Sequence, residues 1–256
     1  MIVVDNDGHD GTASMVRAEF PDVDLIVSGR NLGATGGRNL GMDRAVTRGF
    51  DFAFLVEDDT TCERAALDRG LDAMRADPTA VLVGTSGGSF HRGLVRWGRY
   101  RDGAAGVPAG AVECDFVHLD SCLVRLDQAA AVGFLREDFF IMFEEQEFGA
   151  RLRRSGGRIL RVPADVNRGH LGATTSSAGY PWRSYYQSRN HLRFCIDEGS
   201  WVHWAGFAAR FGRQCLASAR RGNWTEARFR LRGALDALRA RMGERVVPPP
   251  SQAVPR

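Results

Sequence analysis

The sequence predicts an α/β fold with a mostly parallel sheet flanked by helices. Three observations carry the prediction. Short apolar runs alternate with helix-length stretches over the first third of the chain. The run Phe52–Val56 is apolar throughout, as in a strand covered on both faces. Its 256 residues, 44% hydrophobic and 25% charged, suffice for a sizeable core and exclude a disordered chain, a collagen or a coiled coil.

The elements follow in order. Residues 2–4 form a strand that ends in the polar turn Asp5-Asn6-Asp7-Gly8, and residues 12–20 read as a helix stopped by Pro21. Asp24–Val27 is a second strand. Residues 31–41 hold four Gly and two Asn and read as a glycine-rich loop leading into a helix to about Arg48. Phe52–Val56 is a third strand, expected to be buried, which runs into Glu57-Asp58-Asp59. A helix to about Ala76 and a fourth strand, Ala80–Gly84, follow. Residues 86–113 show no clear period and read as a loop with short strands. A strand over 117–124, a short helix over 127–132, a helix over 144–155, a strand over 159–162 and a helix over 185–196 complete the main part. Residues 201–245 read as two helices and 246–256 as a Pro-rich loose tail. These boundaries divide the chain into a main domain over 1–200, a basic helical extension over 201–245 and the tail over 246–256.

Composition narrows the chemistry. All 34 basic residues are Arg, so a P-loop lysine, a Schiff-base lysine and a lysine general base are excluded. Residues 1–200 carry 23 Arg against 28 Asp and Glu, net −5, whereas residues 201–245 carry 10 Arg against 3 acids, net +7. A nucleic-acid binder more often spreads its positive charge over the main domain. Five cysteines form no CxxC pair, and their odd number argues for a reducing compartment. No run of about 18 apolar residues exists and no signal peptide is visible, so a cytoplasmic protein is expected.

Several segments carry candidate chemistry, each beside a plainer reading. Glu57, Asp58 and Asp59 close an apolar strand, at the sheet edge where α/β ligand sites form. Carboxylates this close repel unless a cation neutralises them, and hard oxygen ligands suit Mg²⁺ or Mn²⁺. The plainer reading is a polar turn capping the next helix. The glycine-rich segment suits close approach to phosphate at a helix N-terminus, or is simply a long turn. Glu144, Glu145 and Glu147 open a helix after the aromatic run 139–143. That placement favours the helix dipole, and a poorly solvated carboxylate there would also make a usable general base. His170 sits in a loop, where a lone histidine is usually a surface residue, and the other histidines show no functional spacing.

The order of these segments resembles family 2 glycosyltransferases with the GT-A fold, over residues 2–194. Val3-Val4-Asp5-Asn6 through Asp10-Gly11-Thr12 resembles their VVDNxSxDGT segment, and 31–41 resembles their NxGxxGGxNxG loop. Glu57-Asp58-Asp59 falls at their DxD position. Residues 139–151 resemble their FFxxFED helix, and 185–194 their YYxxRNxLRF segment. The galactofuranosyl- and rhamnosyltransferase branch is the most similar.

The resemblance implies roles. Asp5 would hydrogen-bond the nucleobase or ribose of a nucleotide-sugar, with Asn6 and Asn31 beside it. Gly36, Gly37, Arg38 and Asn39 would line the nucleotide cleft, and Asp58 would face the ribose or sugar. Asp59 and Glu57 would hold Mn²⁺ or Mg²⁺ on the diphosphate, with His170 completing the site. Glu145 would take the proton from the acceptor hydroxyl, Glu144 and Trp182 would line the acceptor side, and Arg189 would touch the departing diphosphate. The implied activity is inverting transfer from a UDP- or dTDP-sugar to a glycan or lipid-linked acceptor, in bacterial cell-wall, polysaccharide or glycolipid assembly. Glu57 and Glu145 stand where the family more often keeps Asp, which shifts geometry by roughly 1 Å. Family members also begin with a further strand and helix, so the chain is expected to be truncated at its start. A catalytically silent module that binds a nucleotide-sugar or a partner is the alternative, and a nucleotidyltransferase the third reading.

In the extension, Ala227, Leu231, Ala234, Leu235, Leu238 and Met242 form one apolar stripe with Arg on other faces. Such a helix is expected to pack this stripe onto the main domain, and a basic amphipathic helix can also lie on an anionic membrane.

Overall fold

A computed structural model describes residues 1–98, 107, 110–168 and 180–247. The first half contains β1 (Ile2–Asp5), α1 (Thr12–Glu19), β2 (Asp24–Val27), α2 (Gly33–Thr47), β3 (Phe52–Val56), β4 (Thr60–Cys62), α3 (Ala65–Ala76) and β5 (Ala80–Gly84). Then come β6 (Gly87–His91), β7 (Leu94–Trp97), β8 (Val112–Cys114), β9 (Phe116–Val117), β10 (Ser121–Arg125) and α4 (Leu126–Ala131). The chain continues through α5 (Glu144–Arg154), β11 (Arg158–Arg161), β12 (Val166–Arg168), α6 (Pro181–Glu198), α7 (Trp201–Arg220) and α8 (Trp224–Leu238).

The central sheet has the order β3-β10-β5-β11-β8. Here β3, β5 and β11 point one way, while β10 and β8 run against them, so the sheet is mixed. The expected single strand over 117–124 is split: Leu119 and Asp120 break it, and the chain returns as β10 between β3 and β5. Side-chain alternation builds the core on both faces. Cys122, Val124 and Ile159 join Phe148, Leu152 and Met42 on one side, and Leu123 and Leu160 join Ala73 and Met74 of α3 on the other.

The pair β1–β2 is parallel and forms its own two-stranded sheet. Among the described residues β3 pairs only with β10, so its other edge carries no ladder. This corrects the expectation that Phe52–Val56 is deeply buried: its residues are partly exposed and Val56 is 48% exposed. Strand β5, paired on both edges, is fully buried. The glycine-rich segment is also corrected, because most of it is the first two turns of α2 rather than a loop.

The C-terminal helices share a core with the main domain. Phe139 and Phe143 pack with Leu192 and Phe194 of α6, Phe207 of α7 and Ala237 of α8. Helix α8 turns the unexpected side inward: Glu226, Arg230, Gly233 and Asp236 are buried, while Leu231, Leu235 and Leu238 are exposed. The close approach of α8 to α6 accounts for this orientation. A Cβ at Gly233 would collide with the Tyr185 carbonyl, so this is the face on which α8 can come nearest to α6. The rest of the 246–256 tail beyond Val247 lies outside the described residues.

Candidate active site

The site begins at the end of β1. The Asp5 carboxylate is buried, and its Oδ1 accepts the Asp7 N–H at 3.3 Å. Its Oδ2 is buried without a hydrogen-bond partner. Gly8 lies against that oxygen, and a Cβ there would stand 2.6 Å from it. A buried carboxylate oxygen left unpaired is costly, which makes Oδ2 a candidate acceptor for a donor group.

Asn6 and Asn31 do a different job from the one expected. Asn6 Oδ1 accepts the Leu32 N–H at 3.0 Å, and its Nδ2 donates to the Gly33 carbonyl at 2.9 Å. Asn31 Oδ1 accepts the Gly33 N–H at 2.8 Å. The two side chains shape the entry to α2, and their polar ends are used within the protein. Gly33 has φ of 72° and no room for a Cβ beside Phe140, while a Cβ at Gly37 would meet Asn6. Gly36 is buried within its own turn, against Leu32. Asn39 is likewise corrected. It faces inward, with Nδ2 donating to the Leu135 carbonyl at 2.9 Å and Oδ1 accepting the Leu135 N–H at 3.1 Å.

Arg38 joins three separated segments. Its guanidinium pairs with Glu57 after β3 and donates to Glu144 Oε1 at 3.4 Å and to the Ala34 carbonyl at 3.3 Å. Burial works against its charge, yet Glu57, Glu144 and Glu145 hold its pKa above the ordinary value. The expected cleft arginine is therefore a bridge between carboxylates. Glu57 has a raised pKa, through desolvation and the nearby Asp120, Asp59 and Glu145, against the pull of Arg38. Asp58 is exposed, and Asp59 accepts the Thr60 hydroxyl at 3.3 Å.

No three His, Cys, Asp or Glu side chains among the described residues converge as a ready metal cage, and His170 lies outside those residues. The donor set nevertheless fits a hard divalent cation. Oxygen ligands gather at the strand end, where Asp120, Asp59 and Glu145 add to the burial that raises Glu57.

The start of α5 supplies the acidic pair. Glu144 is buried rather than turned toward an acceptor, which corrects its expected role. Its Oε2 has no hydrogen-bond partner, and burial, with Glu145 and Glu57 adding to it, pushes its pKa up to about 7 despite Arg38. The Glu145 side chain is 17% exposed. Its Oε1 lies 3.0 Å from His118 Nδ1 and accepts the Leu119 N–H at 3.4 Å. The His118 ring stacks on Trp97, with centroids 4.1 Å apart and planes at 9°. The spacing of the histidines pointed to no role for His118. Its signal was position: His118 and Asp120 fall between two apolar strands, at the same sheet edge as Glu57.

The loop before α5 is strained. Phe140, Met142 and Phe143 all have positive φ, of 64°, 72° and 70°. Helix α6 holds them in place. Asn190 Nδ2 faces the carbonyls of Phe139, Ile141 and Met142 at 2.7–2.9 Å. Arg189, fully buried, donates to the carbonyls of Asp138 at 3.1 Å, Phe139 at 2.9 Å and Gly243 at 2.5 Å, and its guanidinium lies over Tyr186. Arg189 is thus corrected from a diphosphate contact to a clamp on this loop. Trp182 is partly buried at the start of α6, with its indole Nε1 buried and unpartnered.

Residues 1–117 match the family model described as Glycosyl transferase family 2. That match takes in somewhat less than half of the chain. Curated protein sequences give no match. Two solved structures share this fold. GalNAc-T7 with UDP, GalNAc and Mn²⁺ is 12% identical, with a TM-score of 0.58, 76% of this chain covered and 41% of that one. The mannosyltransferase PcManGT from Pyrobaculum calidifontis, in complex with GDP-Man and Mn²⁺, is 13% identical, with a TM-score of 0.54 and 93% and 77% covered. The fold is that of GT-A glycosyltransferases. The chain spans less than half of the GalNAc-T7 chain.

Proposed function

We propose that this protein is an inverting, metal-dependent glycosyltransferase that moves a sugar from a UDP- or dTDP-sugar to an acceptor hydroxyl. One observation carries the reading: Glu57, Glu144 and Glu145, from two distant parts of the chain, gather around Arg38 at the end of β3, and Glu145 keeps solvent access. The relatives' UDP, GDP-Man and Mn²⁺ support a nucleotide-sugar donor and a divalent metal. The acceptor is a glycan or lipid-linked hydroxyl, in polysaccharide, cell-wall or glycolipid assembly on the cytoplasmic side. The donor is of the galactofuranosyl or rhamnosyl kind.

Asp5 Oδ2 accepts a donor N–H or O–H from the base or ribose. Asp58, exposed beside the cluster, faces the ribose or sugar. Asp59 and Glu57 would hold the cation, and His170, which lies outside the described residues, is the third ligand that the sequence resemblance implies. When bound, Mn²⁺ or Mg²⁺ supplies Lewis-acid neutralisation of charge on the leaving diphosphate. Glu145 is the base: His118 and Leu119 fix Oε1, which leaves Oε2 to receive the acceptor proton. Attack opposite the leaving group inverts the anomeric carbon. Trp182 lines the acceptor side.

Transfer and donor hydrolysis with UDP-galactofuranose and dTDP-rhamnose, with Mn²⁺ or with chelator, test the proposal. Wild type is expected to turn over one donor only with metal, and Glu145→Gln to lose about 10²–10⁴-fold. Equal activity in both proteins, or full activity in chelator, overturns it.

A further inference from the structure

Helices α7 and α8 show an apolar face outward. On α7 the exposed positions recur at helical spacing through Trp201, Trp204, Ala205, Ala208 and Leu216. Trp201 is 78% exposed and Leu216 51%. On α8 the outward stripe is Trp224, Leu231, Leu235 and Leu238, each about half exposed or more. The inward sides are fixed by packing. Gly206, Phe207 and Ser218 of α7 are buried, as are Glu226, Arg230, Gly233 and Asp236 of α8. Glu226 is satisfied there by Arg230 at 2.6 Å, Ser218 at 3.0 Å and Ser184 at 3.3 Å. Helix α8 has therefore buried its ion pair and exposed its leucines, the reverse of a helix whose free face meets water.

The charge on this face has one sign. Of the three acids in residues 201–245, Glu226 and Asp236 point inward, which leaves Glu244. Arg213, Arg220, Arg228, Arg232 and Arg239 are exposed around the apolar stripes. A second copy of the chain would bring a like-charged face against this one. Anionic headgroups would instead meet the arginines while Trp and Leu enter the acyl boundary. No helix of the described residues is long and apolar enough to cross a membrane, so the contact is one that lies on the surface.

We propose that the outer face of α7 and α8 docks on an anionic lipid bilayer. This does not depend on the glycosyl-transfer reading, and its test does not use activity. The full chain is sedimented with vesicles of phosphatidylcholine alone or mixed with phosphatidylglycerol. The expected result is binding to the mixed vesicles, weakened by salt and by loss of the anionic lipid. Leu231→Glu/Leu235→Glu is expected to weaken it at least tenfold, and Arg228→Gln/Arg239→Gln by roughly tenfold. All four side chains are exposed, so the thermal midpoint should hold, and UDP affinity reads the donor site separately. Absent vesicle binding, or binding unchanged in the leucine variant, overturns the proposal. A concentration-dependent dimer that the leucine variant abolishes, without vesicle binding, would assign the face to self-association and also overturns it.

Discussion

His118 Nδ1 lies 3.0 Å from Glu145 Oε1, across 27 residues of sequence. With the Leu119 N–H, the contact engages one oxygen of the carboxylate, Oε1. Trp97 stacks on the far side of the imidazole, so the ring has little freedom to swing away. On the proposed reading of Glu145 as base, His118 is a positioning residue, and geometry of this kind enters the rate through orientation.

His118→Ala is expected to lower kcat by about 10- to 100-fold with little change in donor KM, since a base displaced by about 1 Å loses that much. His118→Asn keeps an N–H donor near the Nδ1 position and is expected to recover most of the loss. Steady-state kinetics of the two variants decide the matter. Equal defects in both would show that the ring serves packing against Trp97 instead.

Asp5 makes a prediction about affinity. Its Oδ2 is buried and unpaired, so Asp5→Ala removes a poorly solvated group and is expected to leave the thermal midpoint within a few degrees. UDP binding is expected to fall by about 10- to 100-fold, the loss of a hydrogen bond to a charged group. Calorimetric titration reads the affinity. A large drop in stability with unchanged affinity would make Asp5 a structural turn residue.

These two sites differ in how far the sequence disclosed them. Asp5, Glu57 and Glu145 stand in local patterns, and the structure has them where those patterns lie, at strand ends and a helix start. Contacts that depend on distant packing were not legible. His118 meets Glu145 only because the chain breaks at Leu119 and Asp120 and returns as an antiparallel strand. Arg38, Asn6 and Asn39 looked free for ligand because their internal partners lie far along the chain. Strand β3 reads as buried from its apolar run, yet exposure depends on how many edges are paired. The period of α8 was legible, but which side faces in follows from the close approach at Gly233, a tertiary fact.

Glu144 predicts a pH dependence of stability. Burial raises its pKa from an ordinary 4.5 to about 7. An acid raised in the folded state binds its proton there more tightly than in the unfolded chain. Its contribution is fully present below about pH 4.5 and is lost as pH rises through about 7. Glu144→Gln keeps the shape and cannot ionise. The stability of wild type relative to this variant is expected to fall between about pH 5 and pH 8, by on the order of 2–3 kcal/mol at most. Thermal unfolding across that range checks it, and parallel curves for the two proteins would show that Glu144 does not titrate there.

Arg189 separates a structural clamp from a ligand contact. Its guanidinium satisfies three carbonyls that hold the loop ahead of α5, where three non-glycine residues sit at positive φ. Such backbone costs about 1–3 kcal/mol per residue and persists only where neighbours over-determine it. Lys cannot reproduce the planar fork, so Arg189→Lys leaves buried carbonyls unpaired. The expected destabilisation is about 3–5 kcal/mol, with kcat falling as Glu145 loses its frame. UDP affinity of the folded fraction is expected to stay within about twofold, because the side chain is buried away from solvent. Chemical denaturation and UDP titration on the same preparation give both numbers. Weakened UDP binding at unchanged stability would return Arg189 to the donor diphosphate and remove it from the loop.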